Sequence, residues 1–315
     1  ATIYQLTTDE YKFLMDMIRE DNPLPAARPA DKYDKKQFLQ EVFMSGAQYD
    51  EIEAVLKRKK NIILQGAPGV GKTFAAKRLA YSIMGEKKDD RIQFVQLHQN
   101  YSYEDFVEGY RPSESGFIIK DGVFKKFCIT VKNHPKDPYF FIIDEINRGN
   151  LSKIFGELLM LIEANYRGHE TALANTGEPF TVPENLYIIG MMNTADRSLA
   201  MIDYALRRRF SFIDMEPGFD TEGFKKYMDS KSSDTMKALV REIKQLNDDI
   251  KEKLGKGFCI GHSYFVFDEP CSDALLKNIV NFDILPMLAE YWFDDEEQYE
   301  AWASRLNGVF ENGSK

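Results

Sequence analysis

Three stretches of the chain are apolar almost without interruption: Asn61-Ile62-Ile63-Leu64-Gln65, Tyr139-Phe140-Phe141-Ile142-Ile143 and Asn185 through Met192. Runs of this length and composition predict strands buried on both faces of a sheet. Arg91–Leu97 alternates apolar with polar positions and predicts another strand, and Phe210–Met215 reads as a further one. Between them, helical spacing predicts helices over 73–80, 123–133, 151–164 and 199–206. Gly116–Phe124, through Lys120-Asp121-Gly122, and 168–183 predict hairpins. Upstream, helices are expected over 8–20, 35–44 and 48–58, with the proline-rich Asn22–Pro29 as a linker. After Glu216-Pro217-Gly218 the pattern becomes mainly helical, over 220–229, 234–253, 273–290 and 295–306, with Gly255–Phe265 the exception. Strands alternating with helices indicate an α/β unit with a parallel sheet. The expected organisation is an N-terminal helix and linker over 1–33, an α/β domain over 34–218 and a smaller helical domain over 219–315.

One loop organises this pattern. Gly66-Ala67-Pro68-Gly69-Val70-Gly71-Lys72-Thr73 matches G-x-x-x-x-G-K-[ST] between a predicted strand and a predicted helix, the context such a phosphate-binding loop requires. Glycines let successive N–H groups turn inward toward an anion, and the helix N-terminus adds partial positive charge. Lys72 would reach the β- and γ-phosphates and the Thr73 hydroxyl would sit on Mg²⁺.

The apolar strand at 139–143 ends in Asp144-Glu145, which adds the next element of chemistry. Beyond a phosphate loop, a carboxylate pair at a strand end suits a metal-holding Asp144, direct or through water, and a Glu145 general base. The strand at 185–192 ends in Asn193-Thr194-Ala195-Asp196-Arg197-Ser198, whose amide Asn193 could orient the attacking water. Arg207-Arg208-Arg209 follows; such a cluster is usually a solvated helix end, but here it could present an arginine to a neighbour's nucleotide. His98, among aromatic residues beyond a strand, reads as a hydrogen-bonded structural residue, and Tyr291-Trp292-Phe293 as core.

Charge narrows the partners. The net charge of −9 carries no basic footprint for a nucleic-acid backbone, so any DNA would be held by another domain or partner. Cys128, Cys259 and Cys271 form no C-x-x-C pair, which argues against a zinc site and fits a reducing, cytoplasmic setting. No run reaches the roughly 20 apolar residues of a membrane span. The start, Ala1-Thr2-Ile3-Tyr4, lacks an initiator Met and reads as an excised fragment without a signal peptide.

Together, Gly66–Thr73, Phe140–Glu145, Asn193–Ser198 and Ala205–Phe210, with a helical tail, resemble the AAA+ superfamily of P-loop NTPases. More narrowly, the chain resembles the motor subunits of McrBC modification-dependent restriction systems. That likeness rests on Tyr101–Phe106, Gly109–Pro112, Ile143–Arg148, Met192–Ala200 and Gly257–Phe265, with Met-Asn-Thr-Ala-Asp-Arg-Ser the narrow signature. Cys259 departs from the family, where arginine often precedes the residue at Ile260, so a lid arginine sensor is not carried over. The resemblance implies an AAA+ fold closed by a helical lid, GTP hydrolysis with Mg²⁺, a hexameric ring and an McrC-type nuclease subunit. It also implies that an N-terminal domain outside this sequence reads modified DNA. Carried onto matching positions, Gly66, Ala67, Pro68, Gly69, Val70, Gly71, Lys72 and Thr73 bind phosphate and metal, with Asp144 and Glu145 serving metal and water. Asn193 is the sensor, Arg208 with Arg209 the arginine finger, and Asp196 and Arg197 part of the inter-subunit face. His262 and Ser263 are candidates for reading the base.

The competing expectations are an ATP-driven remodelling machine of the MoxR or dynein-like kind, and a non-hydrolysing assembly scaffold. Intact Asp144, Glu145 and Asn193 speak against the scaffold. A Ras-like switch is disfavoured because Asn147 stands where D-x-x-G needs glycine and no N-K-x-D motif occurs.

Overall fold

The computed structural model describes residues 31–114, 116–195 and 204–311. The expected helix over 8–20, the linker, and Asp196 and Arg197 of the signature lie outside the described residues. The strands are β1 (Asn61–Gly66), β2 (Ile92–Gln96), β3 (Glu108–Ser113), β4 (Gly116–Asp121), β5 (Tyr139–Asp144), β6 (Glu170–Ala172), β7 (Pro179–Thr181), β8 (Leu186–Asn193) and β9 (Ser211–Asp214). Five of them form one parallel sheet in the order β2-β5-β8-β1-β9. The three apolar runs are its inner strands, and the strands expected over Arg91–Leu97 and Phe210–Met215 lie at its edges. This division is physical, because only the inner strands are covered on both faces.

Alternation along the inner strands feeds two cores. Ile62, Leu64, Phe140, Ile142, Ile189 and Met191 face one way. They meet Ala75, Ala76, Leu79 and Ala80 of the helix Lys72–Met84, whose small residues let it lie close to the sheet. Ile63, Phe141, Ile143 and Ile188 face the other way, against Phe124, Phe127, Ile154 and Leu158. The first core runs on without a break into the C-terminal helices.

Those helices span Glu222–Lys231, Asp234–Lys253, Asp273–Tyr291 and Glu296–Glu311. In the second, Met236, Leu239, Val240, Ile243, Leu246 and Ile250 recur at helical spacing and are buried. Asn247, buried in the same row, binds both polar groups of Ile260: its Nδ2 donates to the carbonyl (2.9 Å) and its Oδ1 accepts from the amide (2.6 Å). That clamp fixes the non-helical segment before His262. Cys259, next to it, is fully buried.

Four expectations need correction. Lys120 and Asp121 lie within β4, which pairs with β3 so that Ser113 opposes Gly116, and Gly122 instead starts the helix Val123–Lys132. Gly122 sits so close to Phe106 that a Cβ would fall 2.3 Å from its carbonyl carbon. The helix expected over 151–164 is broken at Gly156, whose φ of +51° carries the chain past the Tyr103 ring. The helix expected over 273–290 contains a wider turn over Ile279–Ile284, just before Pro286, which lacks an N–H to donate. Of the aromatic trio, Trp292 is core as expected, but Phe293 is 83% exposed.

Candidate functional site

Gly69 and Gly71 both have positive φ, near +75° and +77°, which turns the loop after β1 back on itself. The helix Lys72–Met84 begins at Gly71 with no side-chain cap, so its first amides are not satisfied by a side chain. Lys72 is buried and folds over this loop. Its Nζ donates to the carbonyls of Gly66 and Ala67 (2.9 Å each) and to Asn193 Oδ1 (2.7 Å). Thr73, on the first turn, is exposed.

The sheet register brings the other motifs to the same edge. Gly66 of β1 pairs with Asn193 of β8, and β5 beside it ends at Asp144. Glu145 follows in the left-handed region at φ +49°, an uncommon conformation for a residue with a side chain. Its amide donates to Asp144 Oδ1 at 3.0 Å. Asn193 Nδ2 donates to Glu145 Oε1 at 2.9 Å, and Arg148 Nε lies 3.0 Å from Oε2. Lys72, Asn193 and Glu145, from three separate motifs, thus form one hydrogen-bonded chain.

Burial pushes the Asp144 carboxyl above the usual carboxylate range, and the Glu145 charge adds to this against the Glu145 amide and Lys72. Two adjacent carboxylates at a crowded strand end suit a divalent cation. Among the described residues no cluster of three or more His, Cys, Asp or Glu side chains could hold one alone.

The arginine cluster is elsewhere. Arg209 lies two residues before the start of β9, and its carbonyl accepts from Asn61 Nδ2 (3.1 Å) at the beginning of β1. The phosphate loop leaves the other end of β1, roughly 15–20 Å away at ~3.3 Å per residue. Arg209 pairs with Glu163 (3.0 Å), whereas Arg208 is exposed. Arg208 therefore lies about a strand length from the loop of its own chain.

Several contributors carry no motif. The buried Arg167 donates to Asn61 Oδ1 (2.8 Å) and the Ile162 carbonyl (2.9 Å), holding the residue that holds Arg209. Burial lowers its pKa to about 10. Asn61 and Arg167 come from distant parts of the sequence, and no local pattern announces their pairing. The lid segment also lies directly on the loop: the Ser263 amide donates to the Gly69 carbonyl at 2.9 Å. Thr194 Oγ1 donates to the Gly257 carbonyl at 3.2 Å, and Lys256 pairs with Asp214, tying lid to sheet.

His262 is buried beside Gly71, next to a cavity of about 350 Å³ lined by Phe43, Phe74, Tyr227 and Val266 among others. Ser263 lines the same cavity and is exposed. A larger hollow of about 1170 Å³ lies between the helix Lys35–Glu41 and Glu222–Ser230, away from the carboxylates.

Residues 61–210 match the family described as AAA domain (dynein-related subfamily), and residues 238–300 match the McrB alpha-helical lid domain. The chain is 48% identical to the Type IV methyl-directed restriction enzyme EcoKMcrB subunit of Escherichia coli, over 98% of this chain and 70% of that protein. It is 28% identical to the Type II restriction enzyme BsuMI component YdiS of Bacillus subtilis, over 54% of this chain and 60% of that protein. Among the described residues, no helix is long and apolar enough to cross a membrane.

Proposed function

The chain belongs to the McrB family of AAA domains with a helical lid, and from that premise we propose that it is the GTP-hydrolysing ring motor of a modification-dependent restriction system. The observation that carries the hydrolytic part is the Lys72–Asn193–Glu145 chain of hydrogen bonds. In this reading the phosphates replace the Gly66 and Ala67 carbonyls and Asn193 as partners of Lys72. Asn193, freed from Lys72 but still beside Glu145, orients the attacking water, and Glu145 accepts its proton. The inward-turned amides of the loop hold the phosphates. Thr73 and Asp144 would hold Mg²⁺, which supplies charge neutralisation on the phosphates when bound. The preference for GTP over ATP is supported by the likeness to the E. coli McrB subunit.

Arg208 acts across an interface in this reading, because its own loop is a strand length away. Such fingers supply about 10³–10⁵ in rate where they have been characterised. Asp196 and Arg197 of the signature are assigned to the same inter-subunit face, and Arg209 to support of Arg208 through its pair with Glu163. The working assembly is a hexameric ring with an McrC-type nuclease subunit. DNA contact falls to a domain outside this sequence and to the partner, in keeping with the net charge of −9. We place the boundary between the α/β domain and the lid at residues 218–219. The remodelling-machine alternative is disfavoured by the lid match and the 48% identity.

Turnover with GTP and ATP side by side tests the assignment. Lys72→Ala should abolish nucleotide binding. Glu145→Gln should keep binding and lower turnover by at least about 10²-fold, the scale of a general base. Turnover of Glu145→Gln at the wild-type rate would remove Glu145 from its role.

A further inference from the structure

The His262 imidazole is held as a one-way hydrogen-bond donor. The Gly218 amide donates to its Nδ1 at 2.8 Å. A neutral imidazole accepting at Nδ1 carries its proton on Nε2. The ring is only 7% exposed, and burial lowers its pKa to about 4, so it is neutral at physiological pH. It cannot switch tautomer to offer an acceptor at Nε2 instead, because that would aim an Nδ1–H at the Gly218 amide.

The Nε2 side faces the phosphate loop, 3.7 Å from where a Cβ on Gly71 would lie. The neighbouring cavity has aromatic and aliphatic walls at Phe43, Phe74, Tyr227 and Val266. The Phe43 ring packs edge-on against the imidazole with centroids 5.2 Å apart. Flat apolar walls next to Gly71 suit a purine ring rather than phosphate, whose charge is met by Lys72 and the loop amides.

We propose that His262 is a specificity-determining residue that donates its Nε2–H to O6 of guanine. The proposal rests on the reading of GTP as substrate and names the group that makes the choice. At that position guanine offers an acceptor and adenine the N6 amino donor. A buried donor facing a donor leaves both unpaired, which is how a hydrogen-bonding site rejects a close analogue.

Binding of GTP, ITP, ATP and 6-thio-GTP to the wild type and to His262→Phe tests this. ITP and ATP differ at the purine 6 position and N1. 6-Thio-GTP keeps N1–H and the 2-amino group but replaces O6 with a poorly accepting sulfur. The wild type should bind ITP about tenfold more tightly than ATP, and GTP several-fold more tightly than 6-thio-GTP, the scale of one buried hydrogen bond. In His262→Phe both ratios should fall to within about threefold of unity, through loss of GTP and ITP affinity with ATP unchanged. Equal weakening of GTP, ITP and ATP in the variant would overturn the proposal. If the variant does not fold, equal wild-type affinities for GTP and 6-thio-GTP would overturn it alone. Equal wild-type affinities for ITP and ATP would instead mark failure of the GTP reading itself, before any variant is made.

Discussion

Gly261 is where the lid meets the phosphate loop backbone to backbone. A Cβ there would fall 1.9 Å from the carbonyl carbon of Gly69, 2.0 Å from its oxygen and 2.5 Å from the Val70 nitrogen. All three are main-chain atoms, so no side chain can swing aside. Restoring ordinary contact, at 3.4 Å or more, requires lid and loop to separate by about 1.5 Å. Separation on that scale breaks the Ser263–Gly69 hydrogen bond and loosens Tyr264, which packs over Gly69. Overpacking costs about 1–3 kcal/mol and the hydrogen bond about 0.5–1.5 kcal/mol, giving roughly 1.5–4.5 kcal/mol in all. If about 2 kcal/mol of this is felt at the loop, the Kd for nucleotide rises about 30-fold in Gly261→Ala. Gly308→Ala is the control: nothing lies within 4 Å of its Cβ position in the helix Glu296–Glu311, and the change should stabilise by about 0.5–1 kcal/mol. Titration with a fluorescent nucleotide, alongside urea unfolding, reads both. Gly261→Ala binding within threefold of wild type at unchanged stability would refute the reasoning.

Two further predictions concern stability. Arg167→Met leaves the Asn61 and Ile162 oxygens without their donor, so its urea midpoint should fall by the equivalent of about 3 kcal/mol; Arg167→Lys should not rescue it, since a point charge cannot span the forked contacts. Full stability of Arg167→Lys would sink that account. For pH, the folded protein holds His262 near pKa 4 and the unfolded chain near 6.5, so the unfolded state takes up the proton first as pH falls. The contribution is flat above about pH 6.5 and is lost progressively below it, reaching about 3 kcal/mol by pH 4. Urea midpoints from pH 4 to 8 should therefore fall less steeply on the acid side in His262→Phe than in wild type, and parallel curves would refute this.

What could be read from the chain alone divides by the range of the constraint. The inner strands were legible because a strand covered on both faces must be apolar at every position, a demand written within a few residues. The phosphate loop was legible because its turn needs glycine at Gly69 and Gly71 and its chemistry needs Lys72 next to them. Asp144, Glu145 and Asn193 were legible as strand-end residues, but that Asn193 touches both Lys72 and Glu145 depends on the pairing of β1 with β8. The Asn61–Arg167 support of Arg209 had no local signal: a buried asparagine at the start of an apolar run looks like the edge of the run. The turn misplaced at Lys120-Asp121-Gly122 failed for a related reason, because Gly122 is required by the Phe106 backbone and not by a reversal of the chain.

The segment Gly257–Phe265 is the most instructive case. In the sequence it carries a resemblance and two candidates for reading the base, His262 and Ser263, with no chemistry attached to its glycines. In the structure, a Cβ on Gly257 would lie 2.8 Å from the Thr194 hydroxyl, one residue beyond Asn193, and one on Gly261 would overlap the loop that holds Lys72. His262, directly after Gly261, is pinned by the Gly218 amide. These residues are small, or locked in one tautomer, because the lid touches both strand ends that carry the site. The lid and the positions of Asn193 and Lys72 are therefore mechanically connected. A displacement of Asn193 would meet the lid at the next residue, and one of the loop would meet it through Gly69.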